Sequence, residues 1–210
     1  MLTVHHLRIS QSERIVWLCE ELGLDYELKL YNRREDNRLA PDEYKALHPM
    51  GIAPVIEDGD LVLGESGAIM EYITARYGGG KLVPAVDSVD FPTHLFWFHH
   101  SNATFMTNAM MALAVAATGA EELPVMVSNR GDKSWSMVED HLGKQPYFGG
   151  SAFSTADIMW GFNLTTSRLF RDTSLAAFPN IRAWNQRIGE REAYQRAFAK
   201  AEPGMEPKLD

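Results

Sequence analysis

The stretch His48–Tyr72, HPMGIAPVIEDGDLVLGESGAIMEY, decides the architecture of the chain. Pro54-Val55-Ile56 and Leu61-Val62-Leu63 are two short apolar runs parted by Glu57-Asp58-Gly59-Asp60. An Asp-Gly pair between apolar runs marks a tight hairpin, because glycine accepts the left-handed backbone that a two-residue loop needs. The second run leads into Glu65-Ser66-Gly67, after which Ala68, Ile69, Tyr72 and Ile73 recur at helical spacing. The pattern predicts strand, turn, strand, helix. Pro54 opens the first strand, where its missing N–H costs least.

Upstream, Leu2-Thr3-Val4-His5-His6 reads as a short strand, Leu7 to Gln11 as a loop, and Ile15, Trp17, Leu18 and Leu22 as a helix stopped by Gly23. Tyr26 to Leu30 alternates like a second strand, Asn32 to Arg38 is a charged surface loop, and Pro41 to Leu47 has room for a short helix. The order to about Tyr77 is βαβαββα: a parallel βαβ unit followed by an antiparallel hairpin, the thioredoxin-like arrangement. Gly78-Gly79-Gly80-Lys81 lacks the leading glycine and the Lys-Ser/Thr ending of a phosphate-cradling loop and reads as a linker.

Past Phe91-Pro92 the strands stop. Leu95, Phe98, Phe105, Met106, Ala109, Met110 and Leu113 predict one long helix, Met126–Leu142 a second, Ser154–Leu169 a third and Phe178–Ala199 one or two more. The expected fold class is therefore α/β plus all-α: a thioredoxin-like domain over residues 1–82 and an all-helical domain over 88–210. Ser154-Thr155-Ala156-Asp157 is a capping-box variant with Phe153 and Ile158 placed as its staple, which assigns it to stability. The tail after Glu202, with two prolines and a glycine, reads as a loose extension.

A chain of 210 residues buries roughly 70% of its unfolded surface and needs no staples. Its net charge of −8 argues against nucleic acid and anionic membrane as partners. Any anionic ligand must then meet a locally positive site or backbone donors. The single cysteine, Cys19, excludes an internal disulfide, fits a reducing compartment, and among Ile15, Leu18 and Leu22 reads as a buried apolar residue. The start, Met1 to His6, lacks a basic segment followed by a long apolar core, so no signal peptide is expected, and no apolar run could span a bilayer. The expected location is cytoplasmic.

Two features of the opening stretch suit a ligand. A proline at a strand edge, particularly after a cis bond, leaves the preceding N–H and C=O facing outward, free to pair with a peptide. Glu65 and Ser66 sit where a helix begins, so hydroxyl, backbone N–H and helix dipole converge on an anion. Together they describe a site for a small acidic peptide. Here the chain resembles the cytosolic glutathione S-transferases, bacterial-type, with a Pro-Val/Ile after a Gly-x-x and then Glu-Ser before a helix. The capping box and Phe178-Pro179-Asn180-Ile181-Arg182-Ala183-Trp184 extend the likeness to about Ala199.

That resemblance implies a glutathione thiolate attacking a small hydrophobic electrophile, glutathione as co-substrate with no metal, and a homodimer. It places a thiolate-stabilising hydroxyl near the start of the first helix, where Ser10-Gln11-Ser12-Glu13-Arg14 stands. Ser10, four residues before Arg14, is the first candidate and Ser12 the second, which makes this a Ser-type relative. Ser10-x-x-Glu13 is equally a capping box. The resemblance also assigns the backbone of Ala53, before Pro54, to the cysteinyl group, Glu65 to the γ-glutamyl ammonium and Ser66 to its carboxylate. Ile52 departs from the family, where many relatives carry a polar or basic residue; Arg38, with Asn37 beside it, is the candidate to compensate. The electrophile would lie against His99, His100, Asn102, Thr104, Phe105 and Met106. His94, His99 and His100 do not share a helix face, which disfavours zinc, and Gly64-Glu65-Ser66-Gly67-Ala68 lacks the closing glycine of a hydrolase elbow. Two other readings stay open: a different glutathione-dependent reaction (isomerisation, dehalogenation, ether cleavage, peroxide reduction) or a non-catalytic binding module.

Overall fold

The computed structural model describes residues 1–170 and 173–210. Strands β1 (Leu2–Leu7), β2 (Glu27–Tyr31), β3 (Val55–Asp58) and β4 (Leu61–Gly64) form one mixed sheet in the order β2-β1-β3-β4. The β1–β2 pair is parallel and the other two pairs are antiparallel. Helices α1 (Glu13–Leu22), α2 (Asp42–Lys45) and α3 (Ser66–Tyr77) fall between and after the strands as the periodicity predicts. The hairpin closes through Gly59, at φ 62°, and α1 stops at Gly23, at φ 64°. Both need a backbone conformation that glycine reaches without penalty.

From Phe91 the chain is helical: α4 (Phe91–His100), α5 (Thr107–Ala117), α6 (Val125–Leu142), α7 (Thr155–Leu164), α8 (Pro179–Gly189) and α9 (Glu192–Ala201). The long helix expected through Leu95–Leu113 is interrupted by a π-helical turn, Ser101–Met106. There Ser101 donates its hydroxyl to the Met159 carbonyl at 2.8 Å, and the Asn163 amide returns a bond to the Ser101 hydroxyl at 2.9 Å. Such a turn inserts one residue into the helical period, and hydrophobic spacing does not register it. The third expected helix is shorter than Ser154–Leu169: α7 ends at Leu164, and a 3₁₀ turn covers Thr166–Leu169.

The tail is the clearest departure. Glu202 is fully buried, Met205 and Leu209 pack against the core, and Arg168 donates to the Lys208 carbonyl at 3.3 Å. A Cβ on Gly189 would lie 2.3 Å from a Leu209 methyl, so the tail is seated directly against α8. The segment is therefore part of the packed structure rather than a loose extension.

Both halves share one apolar core. Trp17 of α1 meets Tyr194 of α9 edge-on at 4.8 Å and approaches α7 so closely that a Cβ on Gly161 would lie 2.6 Å from the indole. Trp160 sits at the centre of the helical half, stacked on Phe148 at 4.6 Å and donating its ring N–H to the Trp97 carbonyl. The capping box forms as expected: Ser154 Oγ accepts from the Ala156 N–H, and the Asp157 carboxylate accepts from the Ser154 N–H at 2.9 Å. Its partner Phe153 packs on Trp17. Ser154→Ala is expected to remove about 1 kcal/mol and lower the thermal midpoint by about 2–4 °C. Calorimetry checks this; an unchanged midpoint would deny the cap any role in stability.

Candidate active site

The two halves border a cleft of about 630 Å³. Gln11, Ile52, Ala53, Pro54, Glu65 and Ser66 form one wall; Phe98, His99, Asn102 and Met106 form the other. The opening stretch of sequence thus delivers its five candidate residues to one place. Arg38 lies elsewhere, exposed on the loop before α2, with its carbonyl accepting from Arg33. It is not among the residues lining the cleft.

Each wall residue is placed by local structure. The Ala53–Pro54 bond is cis, and the sheet ladder begins only at Val55. Among the described residues Ala53's own N–H and C=O have no hydrogen-bond partner. Glu65 precedes α3 at φ 69° and ψ 121°, outside the regions open to ordinary side chains. Strain of this kind, about 1–3 kcal/mol, persists where the surroundings over-determine it and clusters at ligand sites. Beyond it Ser66, buried, opens α3 with the unpaired amides of the first turn.

The charge behind this wall comes from Arg14. Its guanidinium is fully buried and fans out to the Gln11 side-chain oxygen, to Asn102 Oδ1 at 2.8 Å, to Asn163 Oδ1 at 3.0 Å and, more loosely, to Ser66 Oγ at 3.4 Å. One cation therefore joins α1, α3, α7 and the π turn. Burial pushes its pKa down to about 9, which leaves it charged at neutral pH. The chain's net negative charge is locally reversed here. Sequence reading did not find Gln11 or the reach of Arg14; the only local signal was their i, i+3 spacing at a helix start.

Ser10 and Ser12 stand just before α1. Helix α1 begins at Glu13 and Ser12 makes no side-chain cap, so the expected Ser10–Glu13 capping box does not form. Instead Ser10 Oγ accepts from the Ser12 N–H at 3.2 Å and lies 2.7 Å from Ser12 Oγ. Ser12 is fully buried; its Oγ accepts from the Leu7 N–H at 3.1 Å and lies 2.8 Å from His6 Nδ1. Ser10 retains 6% exposure; neither serine is among the residues lining the cleft, which the loop reaches through Gln11. Cys19 is buried and its thiol is pushed up to about 12 by burial, so it remains protonated. Asn102, offered by sequence as a substrate-side residue, spends its oxygen on Arg14 within the same chain.

Comparison with known proteins gives the family. Residues 10–76 match the family model described as glutathione S-transferase, N-terminal domain, and residues 101–192 match glutathione S-transferase, C-terminal domain. Glutathione S-transferase 3 of Schizosaccharomyces pombe is 30% identical, over 96% of this chain and 88% of its own length. Glutathione S-transferase 3 of Zea mays is 31% identical over 89% and 87%. A crystal structure of a glutathione S-transferase from Actinobacillus pleuropneumoniae superposes with a TM-score of 0.84 at 35% identity, over 96% of this chain and 93% of that one. With both halves matched and the fission-yeast relative alike across nearly its whole length, the chain belongs to the glutathione S-transferase family.

Proposed function

We propose that the protein binds glutathione in this cleft and delivers its thiolate to a small hydrophobic electrophile. The observation that carries the reading is the convergence on one cleft of Ala53's unpaired backbone, Glu65 and Ser66 at the α3 start, and the Ser10 loop at the α1 start. Ala53 pairs the cysteinyl backbone. Glu65 holds the γ-glutamyl ammonium, while Ser66, the α3 amides and Arg14 hold the adjoining carboxylate. Ser10 donates to the sulfur. A free thiol of pKa about 8.5 is mostly protonated at neutral pH, so a hydrogen bond and a helix N-terminus that lower it raise the reactive fraction. Phe98 and Met106 offer the apolar surface for the electrophile. The homodimer implied by the family belongs to this proposal, supported by exposed Val62 on β4 and Phe96 on α4; so does a cytoplasmic location.

The test is conjugation of glutathione to a generic aryl halide as a function of pH. Ser10→Ala is expected to lower kcat/KM about tenfold at neutral pH, the equivalent of one unit of thiol pKa, and to shift the alkaline-rising limb upward. An unchanged profile removes Ser10 from the mechanism. Ile52 favours a second reading, because its apolar side chain, 46% exposed, stands in the wall where a polar contact to the peptide belongs. Calorimetry that detects no glutathione binding would favour that reading, a family member acting as a binding module.

A further inference from the structure

Resting on that reading, a line of four side chains runs into the protein from Ser10, the neighbour of the cleft-lining Gln11. Ser10 Oγ lies 2.7 Å from Ser12 Oγ, Ser12 Oγ 2.8 Å from His6 Nδ1, and His6 Nε2 3.0 Å from Glu202 Oε1. His6, Ser12 and Glu202 are fully buried. Glu202 follows α9 and is separated from His6 by 196 positions. Its other oxygen accepts from Arg8 Nε at 3.1 Å, and the Ile9 N–H also donates to the carboxylate.

The donors along this line can be assigned. An ionised carboxylate only accepts, so His6 carries its hydrogen on Nε2. In the neutral ring Nδ1 is then an acceptor, and the Ser12 hydroxyl donates to it. Because the single Ser12 hydrogen is used there, Ser10 donates to Ser12. The resting line therefore points every proton inward, from Ser10 toward Glu202. Glu202 is held ionised: burial alone would raise its pKa, but the His6, Ile9 and Arg8 donors outweigh burial and keep it below the ordinary carboxylate value.

We propose that this line receives the proton of the glutathione thiol. The S–H bond breaks as its proton bonds to Ser10 Oγ; the former Ser10 proton passes to Ser12 Oγ, and the Ser12 proton passes to His6 Nδ1. The products are a thiolate and an imidazolium held between Ser12 and Glu202. Every hydrogen bond in the line survives: the Ser10–Ser12 and Ser12–His6 bonds reverse direction, the His6–Glu202 bond keeps its own, and Ser10 now points its O–H outward at the sulfur. Carboxylate, imidazole and hydroxyl play the parts they play in a serine hydrolase triad, with a second hydroxyl added. Ser10 touches the substrate; His6 and Glu202 act through Ser12 and are positioning residues. The charged groups around His6 are the Glu202 carboxylate against Nε2, Arg8 on that carboxylate's other oxygen, and Arg33, which donates to the Arg8 and Ile9 carbonyls from the loop after β2. Glu13 of α1, within electrostatic reach of Glu202, is protonated at neutral pH.

Proton counting tests the relay. Glutathione is added to the protein in weakly buffered solution at neutral pH, with the thiolate followed by its ultraviolet absorbance and released protons by an indicator dye. Wild type is expected to form thiolate while releasing much less than one proton for each. His6→Gln keeps a donor for Glu202 but cannot take up a proton; it is expected to show about tenfold less thiolate at neutral pH and full proton release. Ser12→Ala leaves His6 and Glu202 intact, serves if the glutamine variant does not fold, and should release protons in the same way. One proton released per wild-type thiolate, or an interrupted line that retains wild-type release and pH profile, overturns the relay while leaving the transferase reading in place. Absence of any thiolate on wild type overturns both.

Discussion

Replacing Arg14 by methionine is expected to destabilise the protein by about 3–5 kcal/mol and to weaken glutathione binding at least about tenfold. The stability figure follows from what the fan of hydrogen bonds leaves behind. Methionine refills much of the volume, but Gln11, Asn102 and Asn163 then face apolar surface with unpaired oxygens, and removing one partner from a buried charged network typically costs this much. The binding loss has a separate origin, because Arg14 is the cation behind Ser66 and Gln11. Arg14→Lys separates the two effects. A lysine keeps the charge, but its compact ammonium cannot reach acceptors on three elements at once. Lysine should therefore recover much of the affinity and little of the stability. Denaturant unfolding and isothermal titration on the three proteins decide it; a methionine variant within about 1 kcal/mol of wild type would mean that the fan is not a structural hub.

Arg14 also shows which parts of the molecule were legible beforehand. The hairpin, the helix stops and the Ser154–Asp157 cap were readable because their causes lie within a few residues: an αL glycine, an apolar alternation, a hydroxyl three positions before a carboxylate. For the same reason Ile52, Ala53, Pro54, Glu65 and Ser66 arrive in one cleft, being carried on a single strand–turn–strand–helix unit. The failures all involve distant partners. The π turn depends on Ser101 meeting Met159 and Asn163 across the bundle, and the tail is held by His6 and Arg8 from the other end of the chain and by Arg168, 40 positions away. Ser10 was ranked ahead of Ser12 only by its place four residues before Arg14, since both occupy one loop. What separates them is the burial of Ser12 against His6 on β1. Arg38 was advanced to compensate for Ile52, but the loop holding it is fixed by Arg33 and Arg34 away from the cleft lining.

Glu13→Gln is expected to make the protein more stable than wild type by roughly 3–5 kcal/mol above pH 8, while the two proteins differ by less than about 1 kcal/mol near pH 5. Burial pushes the Glu13 carboxyl from 4.5 up to about 8, with the Glu202 charge adding to burial and Arg14 opposing both. A carboxyl with a raised folded-state pKa keeps in the native protein a proton that the unfolded chain has lost. Stability therefore falls as pH rises from about 4.5 to about 8 and is level outside that window, with each pKa unit worth about 1.4 kcal/mol. Asp157, raised to about 6 by burial, slopes the same way, and His94, lowered to about 4 by burial, slopes the other way at acid pH. Both are common to the two proteins, so the difference between the curves isolates Glu13. The same titration bears on ligand binding. While Glu13 is protonated, the charge of Arg14 beside it is uncancelled and acts on the cleft; once Glu13 ionises, that field is partly neutralised. Wild-type affinity for glutathione should consequently begin to decline below pH 8, while the glutamine variant's declines only as Arg14 itself loses its proton. Parallel stability curves for the two proteins across pH 5–9 would show that Glu13 is already ionised at neutral pH, and the Arg14 field would then have to be counted as shielded throughout.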